Sequence, residues 1–422
     1  MSDRIHATYW IETAFPLEDA AAAMAGEQSS GTFLALPGET AELKARSGAV
    51  VERIAELEPS GLPSLPGAAT PKSAGPAKWR RANVEISWPL ANTGPSLPNL
   101  LATIAGNLFE LNQFSGLRLI DVHLPTAFAE AYPGPAYGVA GTREITGVHD
   151  RPLIGTIIKP SVGLSPGETA AAVQDLVDAG IDFIKDDELQ ADGPHCPFEE
   201  RARAVLRVIR EHEERTGRTV MYAANLTGDI DEMRRRHDLV KSLGGNCVMA
   251  SLHSIGLSGL TALRRHSELP IHAHRNGWGL YSRSPGVGVS YPAWQKLWRL
   301  AGADHMHVNG LRNKFCEDDD SVIASARACL TPLFDPPRDP CLAMPVFSSG
   351  QWAGQAPETY QRLGSRDLIY CCGGGIVGHP DGTAAGARSV RDAWEAATQG
   401  IALDDYAREH PDLAHALEAF AR

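Results

Sequence analysis

The sequence predicts an α/β protein, a C-terminal (βα)8 barrel of the TIM type preceded by a small N-terminal α+β domain of ferredoxin-like pattern. Three observations carry this. From residue 155 onward, eight short apolar runs of strand character are each followed by a longer helical stretch, over about 250 residues. Polar side chains gather at the C-terminal ends of those runs. The first 125 or so residues instead mix strands and helices in a shorter rhythm.

In the N-terminal domain, taken as residues 1–130, residues 6–14, 31–36, 83–90 and 117–125 read as strands. Residues 17–26 and 97–109 read as helices. Residues 49–57 (AVVERIAEL) fit neither period well. Residues 59–77 hold five Pro, three Gly and three Ser, and are expected to form a mobile surface loop inside this domain. The barrel domain is taken as residues 131–422. Its strand candidates are 155–160, 182–188, 219–227, 246–252, 271–275, 305–310, 342–350 and 368–374. A doubly wound open sheet also alternates βα units, but usually stops at five or six strands.

The composition narrows the function. Charged residues make up 21% and hydrophobic residues 43%, as in ordinary globular proteins. Net charge is −12, which disfavours nucleic acid or an anionic membrane as main partner. No stretch approaches 18 consecutive apolar residues, and the N-terminus lacks a basic region followed by an apolar core. Seven scattered cysteines without a C-x-x-C pair suit free thiols in a reducing cytoplasm. The adjacent Cys371 and Cys372 read as small buried packing groups.

Strands buried on both faces should be almost wholly apolar. These carry Lys159, Lys185, Asp187, Glu188, Asn225, His272, His274, Arg275, His305, His307 and Ser348 near their C-terminal ends, the active-site face of such a barrel. In DFIKDDE (182–188), Lys185 and Asp187 share a strand face and Glu188 stands at the exit. Two carboxylates suit a hard dication such as Mg²⁺, but an ammonium repels it. The lysine fits a metal site if CO₂ has converted it to a carbamate. A Lys–carboxylate salt bridge is the plainer reading, and spacing alone favours it. The His272/His274 and His305/His307 pairs also allow a zinc site, although the carboxylates favour a harder metal. SSG (348–350) and GGG (373–375) follow strands seven and eight, where barrels of this type often bind phosphate. Arg275 offers a bidentate phosphate contact, and Lys314 lies in a loop able to close over an anion.

GTIIKPSVGLSP, GIDFIKDDE, LPIHAHR, ADHMHVNG and CCGGGIVGHP resemble the barrel motifs of the RuBisCO large chain. GEQSSGT (26–32) and NLLATIAGNLFEL (99–111) resemble its N-terminal domain. The resemblance runs in order along nearly the whole chain and overturns the salt-bridge reading. It implies a carbamylated Lys185 with Asp187 and Glu188 as ligands of one Mg²⁺ per site. It implies Lys159 as a proton-transfer group and His274 as the active-site histidine. Arg275, His307 and Ser348 match residues that hold one substrate phosphate. Thr32, Lys314, Gly350, Gly374 and Gly375 match contacts to a second phosphate or its replacement. Glu27, Thr32 and Asn107 match a region that reaches the neighbouring subunit's site, which implies a homodimer or a larger homo-oligomer.

The departures point away from carboxylation of ribulose bisphosphate. Ser161 stands where the family has a second lysine, Trp278 where the carboxylases have a histidine, and Phe33 where they have tryptophan. The loop VNGLRNKF (308–315) keeps Lys314 without the Gly-Lys-Leu pattern. Losing the second lysine removes a cation from the carboxylation transition state. A RuBisCO-like enzyme is expected, one that forms a metal-stabilised enolate on a phosphorylated keto sugar acid. The preferred reaction is carbon–carbon cleavage of 3-oxo-isoapionate 4-phosphate, as decarboxylase or transcarboxylase/hydrolase. The alternative is a methionine-salvage enolase or isomerase acting on a methylthio-pentulose phosphate, whose apolar group would want an apolar slot.

Overall fold

The structure is a computed structural model and describes residues 4–31, 36–72 and 78–421. The chain divides into two compact units, one of Met1–Tyr132 with Gly277–Leu297 and one of Pro133–Asn276 with Trp298–Arg422.

The strands of the first unit are β1 (Arg4–Thr13), β2 (Val50–Ser60), β3 (Trp79–Pro89), β4 (Phe114–His123) and, much later in the chain, β10 (Val287–Val289). Their order is β10-β4-β1-β3-β2. β1 runs antiparallel to β3 and β4, and β10 joins β4 in parallel. Alternation decides the face of β1. Ile5, Ala7, Tyr9 and Ile11 are buried, while His6, Thr8 and Trp10 are less so. The helix Leu17–Glu27 buries Leu17, Ala20, Ala21, Met24 and Ala25, the spacing of one helical face. The helix expected over 97–109 is a helix Leu97–Ile104 followed by a 3-10 turn Gly106–Glu110. The break falls at Gly106, whose φ of 38° is left-handed.

The ambiguous run 49–57 is the edge strand β2. Its exposed groups are Glu52, Arg53, Glu56 and Glu58 together with Val50 and Leu57; the charges blunt a free edge and blur the alternation. A helix Ala41–Ser47, capped by Thr40, was not expected. The strand read over 31–36 falls mostly on residues 32–35, outside the described residues. Gly277–Leu297 groups with the first unit. The pairing of β10 with β4 is what puts it there. Trp278 accordingly packs in the first unit, 4.7 Å from the Trp294 ring.

Glu12 is a fully buried carboxylate on β1. It accepts from Ser64 N at 2.5 Å, Ser64 Oγ at 3.1 Å, Arg81 Nε at 2.6 Å and Ser115 Oγ at 2.7 Å. These bonds pin part of the Pro/Gly/Ser segment, as does Ala69 N on Asn112 O at 2.7 Å. Burial pushes the Glu12 pKa up, but the donors outweigh it and hold the carboxyl below its ordinary 4.5. A depressed folded-state pKa contributes stability above the ordinary value and loses it as pH falls through the folded one. Wild-type unfolding midpoints are therefore expected to drop below about pH 4.5. The drop should be smaller in Glu12→Gln, itself weaker at pH 7 by roughly 3 kcal/mol. Urea melts from pH 7 to pH 3 measure both.

Among the described residues of the second unit, eight parallel strands close into a barrel. They are β5 (Leu153–Ile157), β6 (Phe183–Lys185), β7 (Met221–Asn225), β8 (Cys247–Ser251), β9 (Ile271–His274), β11 (His305–His307), β12 (Met344–Phe347) and β13 (Ile369–Cys371). All eight expected strands are present. Leu153, Phe183, Met221, Cys247, Met344 and Ile369 start their strands and form one buried cluster with residues higher in the barrel. Val139 and Ile145, from the helix Gly138–Thr146, pack against it and close this end. Asp304 ties that helix down by accepting from Tyr137 N and Gly138 N at 2.6 and 2.9 Å. Its other oxygen meets Arg264 at 2.9 Å. Cys371 and Cys372 are buried free thiols. Among the described residues no helix is long and apolar enough to cross a membrane.

Candidate active site at the strand ends of the barrel

The turn after β6 is built from the inside. Asp186 is 1% exposed and faces Tyr222, Asn225 and Arg201. It accepts from Tyr222 Oη at 2.6 Å, Asn225 N at 2.9 Å and Arg201 Nη2 at 3.3 Å. Asn225 Nδ2 reaches the carbonyls of Asp187 and Glu188 at 3.3 and 3.4 Å. With the backbone fixed, Lys185, Asp187 and Glu188 are turned to the same side.

There, each carboxylate has a lysine. Lys185, 1% exposed, donates to Glu188 Oε2 at 3.2 Å and to Asp186 O at 2.8 Å. Lys159 donates to Asp187 Oδ2 at 2.7 Å and to Ser161 Oγ at 2.8 Å. His274 Nε2 stands 3.3 Å from Glu188 Oε2. Burial pushes the Glu188 carboxyl up, but His274 and Lys185 bring it down to about 2. Burial and Lys185 push His274 down to about 4 against the pull of Glu188. The donor set suits Mg²⁺ if Lys185 is carbamylated. Two carboxylates and a carbamate then offer oxygen throughout, where an ammonium would repel the ion.

The other histidines do not form a zinc site. His272 and His305 are wholly buried lower in the barrel. His272 Nε2 lies 2.8 Å from His307 Nε2, and His272 Nδ1 lies 3.4 Å from His305 Nδ1, so the ring nitrogens serve one another. Among the described residues the grouping of His, Asp, Glu or Cys close enough to hold a metal is His237, Asp238 and His266. There Glu268 N donates to His237 Nε2 at 3.2 Å. This leaves the neutral ring's hydrogen on Nδ1, facing Asp238, with no lone pair for a metal.

The loops after β11, β12 and β13 interlock. Lys314 N meets Ser349 O at 3.4 Å, and Ser349 Oγ meets Asn309 Oδ1 at 2.9 Å. Gly350 has φ +88°, open to glycine at little cost. A Cβ on Gly375 would lie 2.4 Å from Gln351 O, so only glycine fits there. Gly374 has open space around it. The Lys314 ammonium is exposed and lies 5.3 Å over the Phe315 ring. Arg275 is 6% exposed and pairs with Glu317, which also accepts from Asn309 Nδ2 at 2.6 Å. In the first unit, Asn107 Nδ2 lies 3.5 Å from Glu27 Oε1. Thr32 and Phe33 lie outside the described residues.

The barrel thus brings Lys159, Lys185, Asp187, Glu188 and His274 into one contact network, with His307 beside His274 at 4.4 Å between rings. Sequence reading did not single out Asp186, Arg201 and Glu317. Asp186 sits inside the DDE run and passes for one more site carboxylate. Arg201 and Glu317 look like surface charges, and only the fold reveals their partners 15 and 42 residues away.

Comparison with known proteins shows the family. Residues 2–128 match the N-terminal domain of the ribulose bisphosphate carboxylase large chain, and residues 138–420 match its catalytic domain. A 3-oxo-isoapionate-4-phosphate transcarboxylase/hydrolase from Xanthobacter autotrophicus is 58% identical, over 99% of each chain. A 3-oxo-isoapionate-4-phosphate decarboxylase from Rhizobium rhizogenes is 48% identical, over 98% of each. The crystal structure of a rubisco-like protein from Burkholderia fungorum superposes with a TM-score of 0.92 at 50% identity, covering 99% of this chain and 100% of that one. The chain belongs to the ribulose bisphosphate carboxylase large chain family, among its RuBisCO-like members.

Proposed function

We propose that the protein cleaves a carbon–carbon bond of 3-oxo-isoapionate 4-phosphate, using Mg²⁺ held by carbamylated Lys185, Asp187 and Glu188. The observation that carries the reading is the pairing of two site carboxylates with two lysines, beside a histidine, at the strand ends. The names of the 58% and 48% identical relatives support the substrate, and the higher identity favours transcarboxylation with hydrolysis.

When bound, Mg²⁺ would polarise the substrate's keto oxygen and stabilise the negative charge that develops there. Lys159, already hydrogen-bonded to Asp187 and Ser161, holds the proton that the substrate carbon receives after cleavage. His274 stands on Glu188 and orients the adjacent hydroxyl. Arg275 and Ser348 hold one end of the substrate, and His307 stands behind Ser348 at 3.0 Å. Lys314, Gly350, Gly374 and Gly375 hold the other, and the hydrolytic step that yields phosphoglycerate and glycolate consumes one water. Ser161 leaves the site one cation short of the family's carboxylase motif, which argues against carboxylation of ribulose bisphosphate. Glu27, Thr32 and Asn107 of a second copy complete the site, so the working form is a homodimer or a multiple of it.

Incubation with 3-oxo-isoapionate 4-phosphate, Mg²⁺ and bicarbonate, followed by NMR, tests the proposal. Phosphoglycerate and glycolate are the expected products. Erythrulose phosphate and CO₂ would make the enzyme the decarboxylase instead. Turnover of a methylthio-pentulose phosphate alone would sink the substrate assignment.

A further inference from the structure

Five side chains form an unbroken hydrogen-bonded line through the barrel unit. It starts just past β12, where Ser348 Oγ lies 3.0 Å from His307 Nδ1. His307 Nε2 meets His272 Nε2 at 2.8 Å, and His272 Nδ1 meets His305 Nδ1 at 3.4 Å. His305 Nε2 then meets Thr142 Oγ1 at 2.8 Å, in the helix that closes the far end. Thr142 Oγ1 also reaches Gly138 O, one turn back. All five side chains are buried.

Each contact needs one donor and one acceptor, and a hydroxyl has one hydrogen to give. The Gly138 carbonyl can only accept, so the Thr142 hydrogen goes there. Gly138 is itself held, its N–H on Asp304 at 2.9 Å. Thr142 therefore accepts from His305, whose hydrogen sits on Nε2. Burial pushes the pKa of each of the three imidazoles down, so each is neutral with a single N–H. The rest follows in sequence. His305 Nδ1 accepts from His272 Nδ1–H. His272 Nε2 accepts from His307 Nε2–H. His307 Nδ1 accepts from the Ser348 hydroxyl. The line ends on a peptide carbonyl, which passes no proton on, so it orients groups and does not conduct.

We propose that Thr142, at the closed end of the barrel, is a positioning residue that fixes one tautomer in each of His305, His272 and His307 and turns the Ser348 hydroxyl hydrogen inward. Ser348 then presents only oxygen lone pairs to the ligand and takes a hydrogen bond from a substrate hydroxyl. The ligand half of this assignment rests on the reading that substrate lies at the strand ends. The tautomer half does not.

Neutron diffraction from ligand-free, deuterated protein reads the hydrogen positions directly. Deuterium is expected on His307 Nε2, His272 Nδ1 and His305 Nε2. Density on the opposite nitrogen of any of the three, or on both nitrogens, would overturn the assignment. Thr142→Val removes the acceptor and strands the His305 Nε2–H. All three rings are then expected to exchange tautomers. KM for the substrate should rise roughly tenfold, with kcat little changed. Thr142→Ser keeps both hydrogen bonds and should restore tautomers and KM together. A folded Thr142→Val protein with unchanged tautomers, or with exchanged tautomers and unchanged KM, overturns the proposal. If the valine variant does not fold, the wild-type neutron map still decides. Absence of turnover in the wild type would sink the proposed reaction, and the tautomer map would still stand or fall alone.

Discussion

Lys185→Ala is expected to abolish turnover, by about 10³-fold or more in kcat, and to weaken Mg²⁺ binding. Lys185 is 1% exposed at the end of β6. Its amine sits within reach of Glu188 and of the Asp186 carbonyl. No neighbouring group can replace it, because Lys159 is engaged by Asp187 and Ser161. Truncation leaves two carboxylates that still attract a dication but offer it one ligand fewer. The variant should keep its fold, since Asp186 and Asn225 still hold the turn once the Lys185 bond to the Asp186 carbonyl is gone. Turnover assays with Mg²⁺ titration by calorimetry, alongside circular dichroism, separate these effects. Near-normal turnover in a folded variant would refute the metal-site assignment.

Arg201→Ala is expected to cost about 3–5 kcal/mol of stability, because it strands a buried carboxylate. Arg201 and Asp186 are 0% and 1% exposed. Arg201 also donates to the carbonyls of Cys196, Gln190 and Ala191 at 3.0, 3.2 and 2.7 Å. Asp186 in turn fixes the backbone that aims Lys185, Asp187 and Glu188. The same variant should therefore lose Mg²⁺ affinity as well as stability, although Arg201 faces away from the site. Asp186→Asn in the Arg201→Ala background removes the stranded charge and is expected to recover part of the stability. Urea unfolding gives the energies. A loss below about 1 kcal/mol, the scale of an exposed pair, would mean that the Asp186 charge is not carried by Arg201.

What sequence reading could and could not reach follows from the range of the interactions. The barrel was legible because each βα unit repeats a local period, and eight repeats leave few architectures. The candidate site stood out because Lys185, Asp187 and Glu188 are close in sequence and polar where a buried strand should be apolar, but their spacing alone favoured a salt bridge and the metal reading came from the family resemblance. β2 was not legible, since an edge strand studded with Glu and Arg lacks the alternation of β1. β10 was not read as a strand because nothing local marks a three-residue strand whose partner, β4, lies about 170 residues earlier. Arg201 and Glu317 read as surface charges because their partners are remote. The histidines showed their pairing within β9 and β11, but not the link to Thr142, which comes from a helix before the barrel begins.

The late strand β10 has a consequence for synthesis. The first unit is the first to leave the ribosome, yet its sheet lacks an edge until Val289 has been translated. During that interval the outer side of β4 has no strand to pair with, and bare strand edges seek partners on other chains. The nascent protein must either shield this edge or leave it unformed while most of the barrel is made. A chain ending at residue 132 is never given its closing strand, so it is expected to aggregate where the full chain does not. Light scattering of the two, refolded side by side, would show it.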